Sequence, residues 1–343
     1  MGNADSAGGV TERGDGIAFA GNLIVDHLKT VHTWPTEGAL AKVLGQRYAL
    51  GGLVNNCAID LAKLDPSVPV KVLGLVGDDE KGDLILGAYE EYPSVDTGFV
   101  ERRGETAFTD VFTAPDGSRT FFTFMGSNAE LAPSYFDFDR MKADILHVGY
   151  ILLLDGLDAP DPEYGTALCR VLADARAHGI ATSIDVVSED SDRYAAIVPP
   201  ALKYADYCVM NEFEAGRTAG IDIRDGTALI EKNIEECVRD LASKGVRRWT
   251  VVHMPELSAA YDAETGEYIS IPSLKVPDGF IASCVGAGDA FAVGVLYGAY
   301  QGWDLRRSLD AASAIAAYSL SGNGASDAVR PFDEILKKTE TWR

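Results

Sequence analysis

The chain has 343 residues, 47% hydrophobic and 24% charged, enough for one large domain or two ordinary ones with a substantial core. Asp and Glu number 52 against 30 Lys and Arg, a formal charge of −22. So acidic a surface excludes nucleic acid and anionic membranes as partners, since both select a basic face, and no apolar run approaches the roughly 20 residues that span a bilayer.

Residues 1–16 are polar and Gly-rich, with no apolar stretch behind a basic start, and are expected as a mobile leader and not a secretion signal. Residues 17–25 form an apolar run of strand character closed by Asp26, whereas 28–50 lack helical period. From Asn56, apolar residues recur at helical spacing at Ala58, Leu61, Ala62 and Leu64. Strand then alternates with helix: 70–76 with 81–90, and 145–153 with 164–178. Further apolar strands at 180–186, 207–210 and 249–253 are separated by helical patterns such as 228–244. Such alternation predicts a parallel sheet covered by helices on both faces. Around Pro115-Asp116-Gly117 the pattern changes to a hairpin, 107–113 with 119–124. Segments of about 28–50 and 98–125 are therefore expected as a lid inserted into a domain of 17–335, over the strand ends where such folds bind ligands, with a tail at 336–343.

Five scattered cysteines (Cys57, Cys169, Cys208, Cys237, Cys284) contain no Cys-x-x-Cys pair, which fits neither a disulfide framework nor a zinc site and points to a reducing cytoplasm. The five histidines are equally dispersed, so no structural metal is expected.

The most informative segment is Ser283-Cys284-Val285-Gly286-Ala287-Gly288-Asp289-Ala290-Phe291, which runs into an apolar helix ending near Tyr300. Small residues ahead of a helix let backbone N–H groups converge on an anion at the positive end of the helix dipole. An Asp in the first turn is placed to take a proton from a hydroxyl attacking phosphorus. The same residues also suit a Gly-rich turn with Asp289 as a helix cap.

Three further blocks accompany this one: Gly51-Gly52-Leu53-Val54-Asn55-Asn56-Cys57-Ala58; Gly74-Leu75-Val76-Gly77-Asp78-Asp79 with Gly82; and Asn211-Glu212-Phe213-Glu214. Together they resemble, in order and over about 17–335, the signatures of the ribokinase or PfkB family of sugar kinases. The resemblance implies a ribokinase-like three-layer α/β/α sandwich with a mainly parallel central sheet and a small β-sheet lid. It implies ATP and Mg²⁺ as cofactors, Asp289 as catalytic base, and the amides of Gly286, Ala287 and Gly288 as the anion hole for the γ-phosphate. Asp26, Gly51, Gly52 and Asn56 would bind the sugar, with Asn128 as a further candidate. Asn211 and Glu214 would position Mg²⁺ through water, and Gly324 would lie on the nucleotide side. The acceptor would be a primary hydroxyl of a small sugar or sugar acid. A nucleoside kinase of the same family and a ligand-binding, catalytically weak relative are the alternatives. Lids of this family often pair between subunits, so the resemblance implies a homodimer through lid residues such as Val31, Trp34, Val111 and Phe112, with an apolar lid face folded onto its own sugar site as the alternative.

The chain departs from the family in three places. Ser283-Cys284 replaces the usual Asp-Thr, removing an Asp that helps hold an activating potassium ion and putting monovalent-cation activation in doubt. Leu53 stands where the phosphosugar branch has Lys. Residues 251–256, Val-Val-His-Met-Pro-Glu, lack the glycines of a Thr-x-Gly loop; Pro255 has no N–H and Glu256 would repel phosphate, so nucleotide contacts there must differ. Arg102, Arg103 and Arg119 are candidates for reading a negative group near the lid, while the overall acidity favours a neutral sugar.

Overall fold

Near-continuous apolar strands can be buried only between two helical layers, and the computed structural model, which describes residues 14–342, has that arrangement. The first half of the chain runs β1 (Ile17–Gly21), β2 (Ile24–Val31), β3 (Val43–Gly51), α1 (Leu53–Leu64), β4 (Val70–Val76), α2 (Glu80–Tyr89), β5 (Val95–Arg102), β6 (Phe108–Thr113), β7 (Arg119–Phe124) and β8 (Ile145–Ile151). The main sheet has nine strands, ordered Tyr268–Pro272, Leu257–Asp262, Trp249–His253, Tyr207–Asn211, Ala181–Val186, β8, β1, β4, β5. Seven of them are parallel, and the first two form an antiparallel extension at one edge. Side chains alternate across the sheet, so Ile17 and Phe19 enter one core while Ala18 and Ala20 enter the other. α1, α2 and helices Ala287–Tyr300, Leu305–Ser319 and Phe332–Thr339 cover the first face; Ala167–Ala177, Tyr194–Leu202 and Glu231–Ser243 cover the second.

The expected strand at 17–25 is in fact two. β1 stops at Gly21, whose φ of 132° and close approach to Gly149 (an added Cβ would lie 1.9 Å from its carbonyl oxygen) exclude any side chain. After Asn22 and Leu23 the chain leaves the main sheet and β2 opens a separate four-stranded sheet, ordered β3-β2-β6-β7. This is the lid. Asp26 therefore sits on a lid strand and does not close the first core strand. The second lid segment also begins later than 98, because β5 pairs in parallel with β4 at the edge of the main sheet.

Both chain ends differ from expectation within the described residues. Of the leader at 1–16, residues 1–13 lie outside the described residues, while the Gly16 N–H donates to the Asp144 carboxylate at 2.8 Å. The expected tail from 336 belongs to helix Phe332–Thr339, and Trp342 beyond it is 5% exposed, its carbonyl accepting from the Lys275 N–H at 2.7 Å.

Candidate active site

The first turn of helix Ala287–Tyr300 fixes the centre of the site. Gly286, its N-cap, has a φ of 79°, and an added Cβ would lie 2.4 Å from the Ala325 carbonyl oxygen, so only glycine fits. The helix start leaves N–H groups without helical partners. Of the expected anion-hole amides, that of Ala287 donates to the Cys284 carbonyl at 3.4 Å. Asp289 follows, 6% exposed and aimed back toward α1 and the end of β8. Its carboxylate accepts from Asn56 Nδ2 at 2.8 Å and from the Tyr150 hydroxyl at 2.8 and 2.9 Å. Burial raises its pKa to about 6, against the pull of these two donors, which favour the charged form.

The two neighbouring asparagines of α1 divide their labour. Asn55 is wholly structural: its amide donates to the Gly51 and Ile24 carbonyls at 2.7 and 3.3 Å and its oxygen accepts from the Tyr89 hydroxyl at 2.7 Å. Asn56, the expected sugar ligand, is turned toward Asp289. Asn128 is not brought to the site. Fully buried, its amide donates to the Leu23 carbonyl at 3.1 Å and accepts from the Leu23 N–H at 3.4 Å, clamping the break between the two sheets.

At the lid root, Gly51 makes room for Asp26: an added Cβ would approach the carboxylate to 2.4 Å. Gly52, at φ 83°, lets the chain turn into α1 against the Asn22 carbonyl. Burial raises Asp26 to about pKa 6. Asp26 lines a cleft of ≈ 420 Å³ between the lid and the segment leading to Gly286, with Arg47 and Arg119 on the lid wall and Ser283, Val285 and Gly324 opposite. Gly324 is held by its N–H donating to Asp327 at 2.7 Å, and the Ser283 hydroxyl accepts from the Val285 N–H at 3.2 Å. The other candidate arginines are spent elsewhere: Arg102 pairs with Asp83 at 2.5 Å and Arg103 with Glu130. Asp79 of the second block caps α2 through the Gly82 N–H at 2.9 Å and accepts from Thr106 N–H and hydroxyl at 2.8 and 2.6 Å, a structural role.

A second carboxylate cluster lies beside the first. Asn211 and Glu214 form a capping box at the start of helix Glu212–Ala219. The Glu214 carboxylate accepts from the Asn211 N–H (2.9 Å), Asn211 Nδ2 (2.7 Å) and the Ser188 hydroxyl (2.7 Å). Burial raises it to about pKa 7, with the Asp289 charge adding to the effect. Asp185, at the end of strand Ala181–Val186, was not singled out by sequence reasoning. It is buried, its Oδ1 has no partner among the described residues, and burial with the charges of Glu214 and Asp289 pushes its pKa up. These hard oxygen donors suit a magnesium ion, with Asp185 Oδ1 free to receive it directly and Glu214 already engaged on both oxygens and so restricted to contact through water. Among the described residues no compact group of three or more His, Cys, Asp or Glu forms a protein-only metal cage.

The loop lacking Thr-x-Gly is a tight turn between strands Trp249–His253 and Leu257–Asp262. The Glu256 charge, expected to repel phosphate, is met by the Arg224 guanidinium at 3.0 and 2.6 Å, which also reaches Glu212 at 2.9 Å. His253 packs its ring on Phe291, centroids 4.9 Å apart, and burial lowers its pKa to about 4, so a neutral imidazole borders Gly288.

Comparison with known proteins gives the family and the fold. Residues 17–331 match the model of the pfkB family of carbohydrate kinases. The chain is 23% identical over 296 residues to 5-dehydro-2-deoxygluconokinase of Geobacillus thermodenitrificans, covering 83% of this chain and 82% of that one. It is 28% identical over 315 residues to the ATP-dependent ribose-1-phosphate kinase of Halopiger xanaduensis, covering 91% and 94%. Arabidopsis thaliana ribokinase, solved with ribose and ATP, shares the fold at a TM-score of 0.78 and 21% identity, over 94% of this chain and 98% of that one.

Proposed function

The chain belongs to the pfkB family of carbohydrate kinases, phosphotransferases with an alcohol acceptor, and from that membership we propose that it moves the γ-phosphate of ATP to a primary hydroxyl of a small sugar or sugar acid, with Asp289 as general base. The reading rests on one observation above all: a buried carboxylate of pKa about 6 held at the N-terminus of a glycine-opened helix. The relatives' names include a sugar acid and a sugar phosphate as acceptors, so the family reading leaves the acceptor's charge open.

In this reading Asp26 and Asn56 orient the acceptor, and Asp289 accepts the proton as the acceptor oxygen bonds to the γ-phosphorus. The bond from that phosphorus to the bridging oxygen breaks, and ADP leaves with the electron pair. Tyr150 and Asn56 hold the base in place by donating to it. The N–H groups of Gly286 and Gly288, which unlike that of Ala287 have no backbone partner among the described residues, would face charge developing on the transferred group. Asp185, with Asn211 and Glu214 through water, would hold magnesium, whose chemistry is to neutralise phosphate charge. The lid would close over the acceptor and exclude water.

We further propose a homodimer through the lid, on a face that keeps Trp34 but neither valine of the expected set. Val31 and Val111 are 5% and 4% exposed and so already buried. The lid face away from the cleft carries Trp34, Leu44, Tyr48, Phe122 and Phe124, each at least 42% exposed.

A coupled ADP-release assay with MgATP against sugars, sugar acids, sugar phosphates and nucleosides tests the activity. Turnover of a carbohydrate, lost in Asp289→Asn, is expected; turnover of nucleosides alone, or ligand-induced thermal stabilisation without ADP release from any acceptor, overturns it.

A further inference from the structure

Composition describes the outside of this molecule, and the cleft differs from it. The lid strands pair so that one row across the sheet is Arg47–Leu28–Val111–Phe121 and the next but one is Gly45–Thr30–Thr113–Arg119. Residues two apart along a strand share a face. Arg47 and Arg119 therefore project on the same side as Asp26, Leu28, Thr30 and Thr113, the side that lines the cleft. They come from β3 and β7, the opposite edges of the lid, and flank whatever lies between them.

Carboxylates outnumber cations 52 to 30, yet not every arginine has one beside it: the guanidinium groups of Arg140, Arg176, Arg217 and Arg330 are held by backbone carbonyls instead. Arg102, Arg103, Arg170, Arg193, Arg224 and Arg239 each have a carboxylate within salt-bridge distance. Arg119 has no ion-pair or hydrogen-bond partner among the described residues, and Arg47 reaches only the Asn323 carbonyl, at 3.4 Å across the cleft. Lys29, which also borders the cleft, is by contrast neutralised by Asp110. The one carboxylate on the cleft-lining face of the lid is Asp26, at the inner end by Gly51, where it would take neutral hydroxyls.

Resting on the kinase reading above and deepening it, we propose that the acceptor is an anionic sugar, whose own oxyanion is received by Arg47 and Arg119 while its free hydroxyl is delivered toward Asp289. Two guanidinium groups arriving from opposite sides match the three terminal oxygens of a phosphate monoester better than the two of a carboxylate. A sugar phosphate is therefore the preferred source of that oxyanion. The neutral acceptor suggested by the acidic composition would leave both cations unmatched.

The test separates binding from turnover. Thermal stabilisation and calorimetry without ATP compare ribose 1-phosphate, ribose 5-phosphate, gluconate and ribose, on the wild type, Arg47→Gln, Arg119→Gln and the double variant. Steady-state rates with MgATP follow for the same set. Expected is binding of a sugar phosphate at least tenfold tighter than ribose. Each substitution should weaken it roughly tenfold with little change in kcat or in KM for ATP, and Arg→Lys should restore part of the loss. Gluconate binding above ribose with the same arginine dependence would keep the anionic acceptor and change its source to a sugar acid. Ribose binding as tightly as its phosphates, or substitutions that leave phosphate binding unchanged, overturns the proposal even if the enzyme turns over. Arginine-dependent phosphate binding without turnover upholds the anion site and overturns the kinase reading instead.

Discussion

Asp289 carries a cost that its proposed role as base explains. An unfolded Asp titrates near 3.8, whereas burial raises the native value to about 6. The native state thus holds the proton more tightly than the unfolded chain, so the stability linked to this group is complete below the unfolded value and is lost as pH rises through about 6. At neutral pH the ionised carboxylate is a liability on the order of 3 kcal/mol. Asp289→Asn should therefore cut kcat about a thousandfold while raising the melting temperature at pH 7.5, with the gain vanishing near pH 4. A variant less stable than wild type at pH 7.5 would contradict the burial cost, and near-normal turnover would remove Asp289 from the chemistry. Tyr150→Phe probes the same group more gently. The lost hydroxyl donates to both carboxylate oxygens and favours the charged form. Its removal should move the acid limb of the kcat/KM profile to higher pH, and an unmoved limb would assign it to another residue.

Among the elements, the start of helix Ala287–Tyr300 and the lid were legible to different degrees. Gly286-Ala287-Gly288-Asp289 is a local device, since a left-handed cap, free amides and an acid in the first turn all follow from adjacent residues. Gly286→Ala should destabilise the fold by about 1–3 kcal/mol and impair turnover together; denaturant unfolding and the ADP assay measure both. Tyr150 and Asp185 were not legible, because each lies inside an apolar run that reads as ordinary core strand, and only the parallel alignment of β8 with Ala181–Val186 brings them beside Asp289. The break between β1 and β2 was hidden for the same reason: Leu23, Ile24 and Val25 stay apolar because they are buried at the lid root. Asn55 and Asn56 are alike in composition; the family spacing singles out Asn56, and Asn56 is the one on the face of α1 that looks toward Asp289. The lid hairpin was legible from its turn residues, but which aromatics face outward depends on register. Tyr48→Glu and Phe122→Glu place charge on that outward face; the proposed lid dimer predicts dimers for the wild type and monomers for these variants by light scattering, and a monomeric wild type would overturn it.

At the scale of the whole molecule the charge of −22 acts on stability and on binding with opposite sign. Ion pairs such as Arg103–Glu130 and Arg239–Glu235 are exposed, worth at most about 1 kcal/mol each, and neutralise only part of the acid excess. What remains is repulsion among carboxylates, spread over distances that salt screens once the Debye length falls from about 10 Å at 0.1 M to about 3 Å at 1 M. Raising KCl from 0.1 to 2 M should therefore raise the melting temperature, because the screened repulsion outweighs the surface pairs lost. Arg47 and Arg119 stand in the open cleft, where their attraction for an anionic acceptor is screened by the same ions. KM for that acceptor should rise over the range in which stability improves, and a neutral acceptor should show no such rise. Parallel melting and kinetic series in KCl therefore read the two sides of one charge distribution. A melting temperature that falls with salt would mean that the ion pairs, and not the excess acid, dominate the electrostatics of the fold.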